Sequence, residues 1–164
     1  MEFEFTLRFQ LSEAVSDDEA LERLGAAGCT DALVGNGVAG KLSLMYCREA
    51  ESAQQAIRDA LAEVTQALPD AELIEAAPDL VGLTDIAELI GVSRQNMRKL
   101  MLTHSPQFPR PIHDGKTALW HLVDVVEWLN QRGSSRVTPG ISELARATLQ
   151  LNLQQALQRY AHCL

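Results

Sequence analysis

The side chains best suited to chemistry lie together at 94–99. Arg94, Gln95, Asn96, Arg98 and Lys99 offer guanidinium, amide and ammonium groups within a short stretch. Arginine can bond guanine O6 and N7, an amide can bond adenine, and lysine or arginine can neutralise a phosphate. Such groups need a support that holds them outward, and Leu83–Leu100 has the pattern of one. Ala87 is small where a second helix would cross the first, and Gly91, four residues on, permits a left-handed turn. Ile86, Ile90, Val92, Met97 and Leu100 supply a shared core, and Ser93 is a helix cap. The spacing predicts a helix over 93–102 that exposes Arg94, Gln95, Arg98 and Lys99, with Asn96 near the edge.

This segment resembles the helix-turn-helix of DNA-binding regulators, which present the start of the second helix to base edges in the major groove. The residues beyond it extend the likeness. Phe108-Pro109-Arg110-Pro111-Ile112, Asp114-Gly115, Trp120 and Asp124 to Leu129 are similar to the winged helix-turn-helix of the AlpA/excisionase group, within the MerR-like superfamily. The resemblance covers about 83–129. It implies a DNA-binding set of Thr84, Ser93, Arg94, Gln95, Asn96, Arg98, Lys99, Arg110, Lys116 and His121. It also implies a small wing hairpin turning at Asp114-Gly115 and closed by Trp120. Wings of that group carry several basic residues, whereas this one has Lys116 with Asp114 nearby. Phosphate anchoring therefore falls partly to Arg110, His121 and Arg132.

The charge balance fits two units with different tasks. The 164 residues carry a net charge of −8, yet 16 acidic and 5 basic residues fall within 1–79. Residues 80–132 hold 6 basic against 5 acidic, and 133–164 hold 3 against 1. A composition of 46% hydrophobic and 22% charged residues can build cores and excludes a disordered chain. No apolar run reaches the ~18 residues of a membrane span, and MEFEFTLRF lacks the form of a secretory signal. Cys29, Cys47 and Cys163 are odd in number and far apart, which argues against a disulfide framework or a structural zinc site. A soluble cytoplasmic protein is the expectation.

The elements that carry these groups can be placed by periodicity. Phe3, Phe5, Leu7, Phe9 and Leu11 alternate with polar residues, as in a strand with one buried face. Ser16 with Glu19, and Ser52 with Gln55, open two helices. Strands are expected at 31–35, 41–48 and 71–76, with a glycine-rich hairpin at Gly35–Gly40. The order strand, helix, strand, strand, helix, strand predicts a ferredoxin-like split βαβ sandwich over 1–77. No family match is evident for that part. A winged helix-turn-helix is expected over 80–132, with a helix from about Leu122 to Gln131. Gly133-Ser134-Ser135 reads as a hinge. Thr138-Pro139 opens a last amphipathic helix over 138–164, striped by Ile141, Leu144, Leu149, Leu153, Leu157, Tyr160 and Leu164. The fold class is α+β.

The remaining features favour packing over chemistry. Gly35–Gly40 lacks the Gly-Lys-Ser/Thr ending of a phosphate loop. Asp17, Asp18 and Glu19 suit a helix first turn, and His104, His113 and His121 are too widely spaced for a metal assignment. Cys47 is expected to be buried, and Trp120 and Trp128 to join the core. No catalytic set, metal site or cofactor is expected, so the chain reads as a non-enzyme. The expected function is sequence-specific binding of double-stranded DNA by a prokaryotic transcriptional regulator acting as a homodimer. An excisionase-like architectural factor, or a protein–protein adaptor with a degenerate helix-turn-helix, are the alternatives. No residue identifies a small-molecule effector.

Overall fold

A computed structural model of the chain describes residues 1–29, 31–35 and 38–164, apart from the side chain of Leu33. It is a mixed α and β chain in two compact units, 1–77 with 150–164, and 78–149. No helix among the described residues is long and apolar enough to cross a membrane. Asn36 and Gly37, the centre of the expected glycine-rich hairpin, lie outside the described residues.

The first unit is built on an antiparallel sheet. Its strands are β1 (Glu2–Gln10), β2 (Ala32–Gly35), β3 (Lys41–Glu49) and β4 (Glu72–Ala77), in the order β2-β3-β1-β4. Helices α1 (Asp17–Ala26) and α2 (Ala53–Ala67) connect them. Phe3, Phe5, Leu7 and Phe9 are buried on one face of β1, with Leu42, Leu44 and Tyr46 of β3 beside them. Burial on this scale is the main source of stability, at about 1.5–3 kcal/mol for each large side chain. Phe5 pairs directly with Tyr46, their rings stacked 5.0 Å apart. Ser16 and Ser52 accept hydrogen bonds from the backbone N–H groups of Glu19 and Gln55 at 3.1 Å, capping α1 and α2. The expectation for Cys47 fails. Because Leu42, Leu44 and Tyr46 point inward, the period of two turns Cys47 to the other face, where it is exposed opposite Glu4.

The last helix, α6 (Pro139–Arg159), is shared between the units, and a short 3-10 turn follows at Ala161–Cys163. Thr138 Oγ1 caps it by accepting the Ile141 N–H at 3.2 Å. Its apolar positions do not form a single buried stripe. Leu144 and Ala145 are buried, but Leu153, Leu157, Tyr160 and Leu164 are exposed. Amide side chains take the inward positions of the second half. Asn152 Nδ2 donates to Ala76 O, and its Oδ1 accepts from Ala76 N–H, both at 2.8 Å. Gln155 Nε2 donates to Leu73 O at 3.4 Å. Side-chain amides thus satisfy the outer edge of β4, which would otherwise present unpaired backbone groups.

The second unit contains α3 (Leu83–Ile90), α4 (Arg94–Thr103) and α5 (Leu122–Gln131), with a small sheet of β5 (Leu80–Val81) and β6 (Trp120–His121). Ile86, Ala87, Ile90, Met97, Phe108 and Trp120 share its core with the apolar face of α5. The expected wing hairpin is reduced to one bridge, His113 with Leu119. Trp120 pairs instead with Val81, and His121 with Leu80. A segment with three prolines in its approach cannot donate a full ladder, so the strand after the turn joins the start of the unit.

Candidate nucleic-acid interface

The turn between α3 and α4 sets the direction of α4. Gly91 has φ +73°, the left-handed region where a side chain is strained, and its N–H bonds the carbonyl of Glu88 at 3.4 Å. Arg136 Nη1 donates to Gly91 O at 3.1 Å and ties the turn from outside. Ser93 Oγ accepts the Asn96 N–H at 3.1 Å and caps α4. At the other end, Asp85 Oδ2 accepts the Gly82 N–H at 2.9 Å and closes the first turn of α3.

With Met97 buried and Leu100 half-buried, the helical period leaves Arg94, Gln95, Asn96, Arg98 and Lys99 exposed. Arg94 and Thr84 also line a partly open groove of about 690 Å³, together with Arg110 and Lys116 from the loop after α4. That loop is pinned from below. Trp120 Nε1 donates to Pro109 O at 2.9 Å, and the edge of Phe108 meets Trp120 and Trp128 at centroid distances of 5.9 and 5.0 Å. At the turn, the exposed His113 ring lies over Gly115, its Nε2 2.6 Å from where a Cβ would stand, so a larger residue there would have to displace that ring. Asp85 and Asp114 line the same groove.

Thr84, Arg94, Arg110 and Lys116 of the expected set therefore meet in one groove, and Gln95, Asn96, Arg98 and Lys99 form the open face beside it on α4. Ser93 serves as the cap. His121 stands apart from the groove lining, its Nδ1 paired with Oδ1 of the buried Asp79 at 2.7 Å. Arg132 stacks over the Trp128 ring, 4.7 Å from its centroid, and its Nη1 is 3.1 Å from His104 Nδ1. The roles of Arg136 and Asp79 are not evident from the sequence, because their partners are distant along the chain or look like a boundary.

Electrostatically the open face is uncommitted. Arg94, Arg98, Lys99, Arg110 and Lys116 make no ion pair with any described residue. Elsewhere, Glu2, Glu4 and Cys47 bring possible metal donor atoms within 4.8 Å of one another, but all three are exposed side chains of adjacent strands. The Cys47 thiol is pushed up, by desolvation first and then by the Glu2 and Glu4 carboxylates, which disfavours the thiolate a metal needs. Comparison of the chain with protein-family models finds no match, and none is found among curated proteins or solved structures.

Proposed function

We propose that the chain is a sequence-specific binder of double-stranded DNA, a cytoplasmic prokaryotic transcriptional regulator whose α4 enters the major groove. The observation that carries this reading is the face of α4. Gln95, Arg98 and Lys99 are exposed, carry base- and phosphate-bonding groups, and stand on a helix whose inner side is locked by Met97. The α3–Gly91–α4 turn, the proline approach and Trp120 support a winged helix-turn-helix of the AlpA/excisionase type with a reduced wing. The order β2-β3-β1-β4 with two connecting helices supports a ferredoxin-like sandwich for the first unit, acting as a regulatory or oligomerisation module. A homodimer is part of the proposal, since one short helix reads few bases and two half-sites restore specificity. The exposed Leu153 and Leu157, one turn apart on α6, with Tyr160 and Leu164 just beyond its end, offer an apolar surface suited to pairing subunits.

The test is selection from a randomised duplex pool by the purified chain. A shared sequence should be enriched, and Gln95→Ala should relax preference at one or two positions by about 1–3 kcal/mol each. A second reading, a protein–protein adaptor, draws on Asp114 beside Lys116 and on the reduced wing. It requires that no duplex be bound in a salt-dependent way.

A further inference from the structure

We propose that the groove at the starts of α3 and α4 seats the phosphodiester backbone of duplex DNA, and that Arg94 acts there with Arg110 and Lys116 rather than on base edges. This rests on the DNA-binding reading above and divides the labour within it. One cation comes from the start of α4 and two from the loop after it, and all three line one groove of about 690 Å³. Like charges gathered around a hollow repel one another unless an anion offsets them. Of the two acids on the lining, Asp85 is committed to the Gly82 N–H at 2.9 Å. Asp114 is the other, and three cations against two carboxylates leave the groove lining with a small excess of positive charge.

The support beneath these cations is stiff. Arg110 stands between Pro109 and Pro111, whose rings fix φ, and the Pro109 carbonyl is held by the Trp120 indole, only 3% exposed. Arg94 is the first residue of α4, directly after the Ser93 cap. Lys116 follows the Asp114-Gly115 turn, which the His113–Leu119 bridge closes. A clamp ordered in advance loses little freedom on binding. Thr84 adds a hydroxyl donor on the same rim.

The chemistry of the groove favours a polymer over a small anion. Exposed ion pairs contribute little singly in water, so three exposed cations hold a lone phosphate poorly. A duplex that engages them together also releases its condensed counterions. Contacts of this kind position the protein and carry no base information. Gln95, Arg98 and Lys99 do not line the groove and are left to read the bases.

The experiment measures binding of the full chain to its selected duplex, by fluorescence anisotropy across 50–200 mM salt, for wild type, Arg94→Ala, Arg110→Ala, Lys116→Ala and Gln95→Ala. Circular dichroism confirms that these surface variants fold. Each of the three groove variants should flatten the log–log salt slope by ~0.9, so that the wild-type loss of affinity over that range shrinks about 3.5-fold. Their ranking of mutated sites should match wild type, whereas Gln95→Ala should keep the slope and change the ranking. Added inorganic phosphate at constant ionic strength should not displace the duplex. If Arg94→Ala changes the ranking and leaves the slope intact, Arg94 reads a base and the groove assignment is overturned while DNA binding stands. Displacement by millimolar phosphate would also overturn it, by making the groove a small-anion site. A wild-type chain with no salt-dependent duplex binding would overturn the functional reading itself.

Discussion

The two units use their cations in opposite ways. In the first unit, six basic side chains stand among fifteen acidic ones, and three of its five arginines are held in ion pairs. Arg8 pairs with Glu75 at 2.9 Å and Arg23 with Glu19 at 2.7 Å. Arg48 bridges Asp31 and Glu63 at 2.8 and 2.9 Å while lying over the Tyr46 ring. In the second unit, eight basic side chains nearly balance seven acidic ones, yet the five on α4 and the following loop are unpaired among the described residues. A net charge of −8 for the whole chain hides this division. What bears on an anionic partner is where uncommitted cations gather, because field and contact act locally within a Debye length of ~8–10 Å.

The largest effect that sharpens the contrast separates the inner and outer sides of the second unit. Ile86 is fully buried, so Ile86→Ala should cost about 2–5 kcal/mol in chemical denaturation. Arg98→Ala, on the open face, should stay within about 0.5 kcal/mol of wild type. A large destabilisation by Arg98→Ala would mean that this side chain serves the fold, and the free face would lose a member.

Next in size is the edge of the first unit. Asn152→Ala removes both hydrogen bonds to Ala76 and leaves buried backbone groups unpaired, which should cost about 1–3 kcal/mol. Duplex affinity should change far less than stability, since the groups proposed to face DNA belong to the other unit. Hydrogen exchange at β4 would locate the loss. Unchanged protection there would show that α6 does not guard that edge.

How much of this was legible in the sequence differs by range. Phe3 to Phe9 announced β1 through strict alternation, and Ser16, Ser52, Ser93 and Gly91 marked helix ends through local chemistry. The cluster at 94–99 was legible for the same reason, being set by one helix and its cap. Cys47 was misplaced because a strand signal fixes alternation but leaves its phase open. The wing was overdrawn because Asp114-Gly115 reports a turn, whereas the partner of Trp120 is Val81, far upstream. The same limit hid the Arg136 bond to Gly91, 45 residues apart, and the Asn152 bonds to Ala76, 76 apart. Arg110 and Lys116 were marked as cations, but their meeting with Arg94 in one groove needed the folded loop.

The smallest expected effect concerns pH in the first unit. Burial pushes the Cys29 thiol above its ordinary value of 9.0, with Glu63 and Asp31 adding to it and Arg48 opposing. Burial also raises the Tyr46 phenol, whose hydroxyl lacks a hydrogen-bond partner among the described residues. A group whose folded value is raised favours the native state below its ordinary value and loses that contribution as pH rises. The denaturation midpoint of the first unit should therefore fall between pH 9 and 11, and Cys29→Ala should reduce the fall. A midpoint that rises over that range would reverse the assignment.

The most direct measurement of the central claim is enrichment of sequences from a randomised duplex pool, run in parallel with wild type and with a Gln95→Ala, Arg98→Ala double variant. The free face of α4 predicts one motif enriched by wild type and a broadened or shifted motif with the variant, both chains being folded. Identical motifs from the two chains would place base reading elsewhere. No enrichment by wild type would contradict sequence-specific DNA binding altogether.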